Sequence, residues 1–87
     1  MTNRHIEKAA QFAPIIERVH GEHHPELTRV REITEKLRRS NDATNAMTLF
    51  QELRSVTDNY GIPQDVCEAF EATYRALERA DEHLTAA

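Results

Sequence analysis

Leu27-Thr28-Arg29-Val30-Arg31-Glu32-Ile33-Thr34-Glu35-Lys36-Leu37-Arg38-Arg39 is the stretch that decides the fold. Leu27, Val30, Ile33 and Leu37 recur at three- and four-residue steps, the spacing that puts side chains on one face of an α-helix. The remaining positions are mostly charged. Glu32–Lys36 and Glu35–Arg39 stand one turn apart with the acid on the N-terminal side, the favourable order. Glutamates interleave with Arg29, Arg31, Lys36, Arg38 and Arg39, so this basic group reads as a solvated helix face.

The same period extends in both directions. Upstream, Ile6, Ala9, Ala10, Ala13, Ile16 and Val19 predict a helix from about Asn3 to His20. Pro14 removes a backbone donor inside it, so a kink or break is expected near Phe12–Ala13. Gly21 and Pro25 punctuate the next stretch, and Pro25 suits the first turn of the second helix. Downstream, Ser40-Asn41-Asp42 reads as a turn with Asp42 as N-cap. Met47, Phe50, Leu53, Val56 and Tyr60 predict a third helix, stopped by Asn59 and Gly61. Pro63 is expected to open a fourth at its first position, with Val66, Phe70, Tyr74, Leu77 and Leu84 on the buried face. The expected architecture is an all-α, small antiparallel bundle of three to four helices; a break at Pro14 would leave three plus an N-terminal arm. Leu27, Val30, Leu53, Phe70, Tyr74 and Leu77 are expected to share one core.

The chain has 87 residues, which sets residues 1–87 as a single domain. It has two glycines, three prolines and no tryptophan, and no run of alternating β-branched residues. The net charge of −4 gives no clustered positive field, so nucleic acid is not an expected partner. No segment is apolar enough for a signal peptide or a membrane span. The single cysteine, Cys67, has no internal disulfide partner. A reducing, cytoplasmic setting is expected. Cys67 is read as a small core residue four positions into the last helix.

His20-Gly21-Glu22-His23-His24-Pro25-Glu26 holds three of the five histidines. Imidazole and carboxylate together suit zinc, iron and similar ions. On a continuous helix Glu17, His20 and His24 would share a face, and Glu-x-x-His is a ligand pair of carboxylate-bridged di-iron bundles. The candidate metal ligands are His20 and His24, with Glu17, His23 and Glu26 assisting. The plainer reading is a set of solvated histidines at a helix–helix turn, and spacing alone favours it. His5 and His83 read as surface histidines, either of which could complete a site. No nucleophile motif or phosphate-cradling glycine loop occurs, so no self-contained enzyme active site is expected.

Val19-His20-Gly21-Glu22-His23-His24-Pro25-Glu26-Leu27 resembles the "VHGxxHPEL" stretch of the iron–sulfur cluster repair proteins, which are hemerythrin-like di-iron proteins. Leu53-Arg54-Ser55-Val56-Thr57-Asp58-Asn59-Tyr60-Gly61-Ile62-Pro63-Gln64-Asp65-Val66-Cys67 resembles that family's "LRxxTxNYxxPxxxC" segment, and Phe70, Tyr74 and Leu77 follow with its spacing. The resemblance implies a helical bundle with a non-haem di-iron centre, a role in stress-related repair of iron–sulfur clusters, and iron–sulfur proteins as partners. His20 and His24 match family histidines. The family's "HxxLENNxLFP" stretch, which supplies iron ligands, and the "HMxKEE" element of longer members have no counterpart before Ala87. A reduced, mononuclear or lost metal site is therefore expected, or one completed by a second chain, and a homodimer is expected. The alternative is a metal-free helical interaction or regulatory module.

Overall fold

The computed structural model describes residues 3–85. They form four helices: α1 (Arg4–His20), α2 (Leu27–Arg39), α3 (Ala43–Val56) and α4 (Glu68–Thr85). No strand occurs among the described residues. The body measures 33 × 20 × 18 Å.

Helix ends follow local chemistry. Asn3 caps α1 by accepting from the backbone N–H groups of His5 and Ile6. Asp42 accepts from that of Thr44 at the start of α3, as its N-cap position predicts. Gly21 follows α1, and a Cβ there would collide with the carbonyl of Glu17.

Ion pairs mark the helix directions. Glu17, late in α1, bonds Arg31, early in α2, at 2.7 Å. Arg29, early in α2, forks onto Glu52, late in α3, with Nη2 to Oε1 at 2.7 Å. Both pairs join antiparallel neighbours. The arginines at Arg29 and Arg31 thus tie α2 to its neighbours, where the sequence suggested a solvated face. Within α2 the recorded pairs are Arg29–Glu32 and Arg38–Glu35, at i, i+3. Helix α4 runs antiparallel to α1: His20 at the end of α1 meets Cys67, and Arg4 and His5 lie beside Arg79 and His83.

The core draws on all four helices. Leu27, Val30, Leu53, Phe70, Tyr74 and Leu77 are all buried in one cluster, as expected. Ile6, Ala9 and Ile16 complete it from α1.

Several sequence expectations are corrected. Helix α1 runs unbroken through Pro14. Proline inside a helix costs about 3 kcal/mol, but Pro14 faces solvent and Ala9, Ala13 and Ile16 bury the opposite face on both sides of it. Val19 and Met47 are exposed, at 62% and 50%. The buried phase of α3 is Ala46, Leu49, Phe50, Leu53, one residue earlier than Met47 implies.

Helix α4 begins at Glu68, not at Pro63. The reason is distance. Arg54, in the last turn of α3, bonds Asp81 near the far end of α4. The chain must climb from Asp81 to Glu68, about 20 Å at 1.5 Å per residue. Extending α4 back to Pro63 would lengthen the climb to about 27 Å and leave only residues 57–62 to make it, about 20 Å when fully extended, whereas an irregular 57–67 segment spans the shorter distance easily. Residues 57–67 therefore run back along α4, with Ile62 and Val66 packed against the core. The climb starts in a left-handed turn: Asp58, Asn59 and Tyr60 have φ of 53°, 60° and 63°. Asn59 behaves as the sequence suggested; Gly61 does not adopt positive φ.

Candidate functional site

The histidine-rich stretch forms the bend between α1 and α2. The backbone N–H groups of His23 and His24 both donate to the carbonyl of His20, at 3.1 and 2.9 Å. That of Leu27 donates to His24 at 3.0 Å. This double turn aims His20 and His24 toward the start of α4. Both imidazoles meet the ring of Phe70 edge-on, with centroids 5.5 and 5.4 Å away. Their own centroids are 6.5 Å apart.

Each imidazole also meets the 57–67 segment. His20 Nε2 lies 3.1 Å from Cys67 Sγ. His24 Nε2 lies 3.3 Å from Asp65 Oδ1, and its Nδ1 lies 3.3 Å from Glu26 Oε2. Asp65 receives a hydrogen bond from its own backbone N–H. With the imidazoles of His24 and His23, this outweighs burial and holds its carboxyl below the ordinary range.

Of the sequence candidates, His20, His24 and Glu26 come together. His23 is exposed at the rim. Glu17 is drawn away: hydrogen bonds from Thr28 and then Arg31 hold its carboxyl low, against a smaller opposing effect of burial. The helix ends at His20, so the shared face of Glu17, His20 and His24 is not formed. His5 and His83 lie at the other end of α1, about 25 Å away by helix rise. Burial, then the charges of Arg4, Arg79, His83 and Lys8, lowers the pKa of His5.

Residue spacing does not single out Cys67 or Asp65 for this site. Cys67 is exposed rather than a core residue, because it precedes α4 and does not sit on its inner face. Both residues lie in the second stretch quoted above, which was their one available signal.

A di-iron centre needs several histidines and bridging carboxylates directed at one point. Among the described residues, no three His, Cys, Asp or Glu side chains are so grouped. The two nitrogens of His24 face carboxylates on opposite sides of its ring, and Phe70 stands against both imidazoles. These residues do not fit a di-iron centre.

Compared with known proteins, the chain matches no family model, no curated protein and no solved structure. Among the described residues no helix is long and apolar enough to cross a membrane.

Proposed function

We propose that the protein is a small, cytoplasmic, stress-related helical protein of the iron–sulfur cluster repair kind, with its metal chemistry reduced to weak single-ion binding. The observation that carries this reading is the meeting of its two family-like stretches. His20 and His24 come from the first, Cys67 and Asp65 from the second, and they touch pairwise at one end of the bundle. Neutral imidazole and thiolate are both good ligands for iron and zinc. His20 with Cys67 is the pair that could hold an ion between the end of α1 and the segment before α4, and His24 lies beside it.

Titration calorimetry with ferrous iron, without oxygen, and with zinc tests this. One ion per chain is expected, with an affinity weaker than a complete site gives. His20→Ala and Cys67→Ser each abolish it, and acid weakens it because both ligands bind deprotonated. Two tightly bound ions per chain would overturn the reduced-site reading. The second reading, a metal-free interaction module, is favoured by the engagement of both His24 nitrogens. It predicts no saturable binding tighter than about 1 mM, or about 4 kcal/mol.

The working unit in this proposal is a homodimer that meets iron–sulfur proteins. Ile15 and Val19 stand one turn apart on α1 and are 41% and 62% exposed. An uncovered apolar stripe favours a partner surface. Light scattering is expected to give twice the chain mass at high micromolar concentration, and Val19→Asp to return it to one. A single-chain mass for the unaltered protein would remove the dimer.

A further inference from the structure

A second feature lies beside the histidine bend. A cavity of about 310 Å³ opens between the start of α2, the 57–63 turn and the middle of α4. It is at the small end of the range for ligand sites. Tyr74 forms part of its wall, although the residue as a whole is only 1% exposed. The Tyr74 hydroxyl has no hydrogen-bond partner among the described residues. Leaving a buried polar group unpaired costs free energy. No side-chain oxygen or nitrogen sealed from solvent lacks a partner among the described residues. The hydroxyl therefore keeps an opening to solvent, and the cavity that Tyr74 lines, beside Glu26, is where it can open.

The charges around the cavity have one sign. Glu26 and Asp58 contribute carboxylates, and no lysine, arginine or histidine lines it. Glu26 uses Oε2 toward His24, which leaves Oε1 available. Burial, and then the charge of Glu26, pushes the Tyr74 phenol pKa up, so the phenol stays a neutral donor and acceptor. Val56, Ile62 and Pro63 supply apolar wall.

We propose that this cavity binds a primary alkylammonium group. Its N–H bonds go to Glu26 and to the Tyr74 hydroxyl, and its carbon chain lies on Val56, Ile62 and Pro63. A bare metal ion would find too few converging oxygens and would gain nothing from the apolar wall. An anion would meet two carboxylates. A four- or five-carbon amine supplies the polar end and fits within the cavity. The same chemistry is carried by a free alkylamine and by a lysine side chain.

The test is a proton–nitrogen NMR titration of the whole chain with n-butylammonium chloride, and separately with an N-acetyl-lysine amide. A chelator is present throughout, so the outcome does not depend on the metal reading. Saturable shifts at Val56–Ile62 and Tyr74 are expected with one or both amines, and the stronger one identifies the source. n-Butanol, with the same chain and no charge, is expected to leave those signals in place. Glu26→Gln should weaken amine binding about tenfold or more, since a charge-assisted hydrogen bond is lost. Tyr74→Phe should weaken it severalfold while leaving the Tm unchanged or higher, because the hydroxyl it removes has no protein partner. Equal shifts with n-butanol, no saturable shift with either amine, or unchanged affinity in both variants would each overturn the proposal.

Discussion

Leu77→Ala lowers the stability of this protein by about 2–5 kcal/mol, and Leu53→Ala does the same. Both side chains are fully buried, in α4 and α3. Truncation removes apolar atoms from the core and leaves a cavity that the surroundings refill only in part. Domains of this size have about 5–15 kcal/mol in total. Either variant therefore spends a large fraction of it, and the Tm should fall by roughly 10–30 °C. Met47→Ala is the matched control. Met47 is half exposed, so its loss should stay within about 0.5 kcal/mol. Urea unfolding of the three variants measures this directly. Near-zero losses at both leucines, or a large one at Met47, would mean that the buried faces are misassigned.

That control also marks where periodicity ceases to decide. On α2, four apolar positions in a charged background leave only one phase, and the structure adopts it. On α3, Met47 and Ala46 compete for adjacent phases. The larger side chain suggested one, and packing uses the other, which continues through Leu53 to the buried Thr57. On α1, Ile16 and His20 lie at i, i+4, so the inner face passes to His20 and Val19 turns about 100° away. A histidine that replaces an apolar residue at the end of a face cannot be distinguished from a surface histidine by pattern alone. Its partner, Cys67, is 47 residues distant and sits in an irregular segment. The length of that segment follows from where Arg54 attaches to α4, a contact with no local signature. The histidine bend was therefore legible as a cluster, while its pairing was not.

Asp81 is the clearest such omission, and its replacement carries the other large expected effect. It follows Phe70, Tyr74 and Leu77 on the inner face of α4 and is 5% exposed. A carboxylate so placed needs compensation. Arg54 forks onto it from α3, with both bonds 2.6 Å long. The Tyr60 hydroxyl donates to Oδ2 at 2.8 Å, and Thr85 lies 2.8 Å from Oδ1. Burial alone would raise the Asp81 pKa. The hydrogen bonds from Arg54, Tyr60 and Thr85 outweigh it and hold the carboxyl below its ordinary range. Burial, then the bond to Asp81, pushes the Tyr60 phenol pKa up, so it remains a donor. The network also anchors the left-handed turn, in which three consecutive non-glycine residues cost about 1 kcal/mol or more each.

Asp81→Ala should cost about 2–4 kcal/mol at neutral pH, since it leaves the Tyr60 hydroxyl buried without its acceptor and Arg54 without its charge partner. Amide exchange over residues 57–61 should quicken by more than the global loss requires. The pH dependence follows from the depressed pKa. In the unfolded chain an aspartate titrates near about 3.9. Its contribution is complete above that value and is lost as pH falls through the lower folded value. Other low-pKa carboxylates, such as Glu17 and Asp65, weaken both proteins together in acid. The gap between parent and Asp81→Asn, measured by urea unfolding at neutral pH and at stepwise lower pH, isolates Asp81. It should be constant down to about pH 4 and close below it. A gap that persists unchanged into strong acid would show that Asp81 acts through shape rather than charge. The turn at Tyr60 would then owe its left-handed backbone to packing alone.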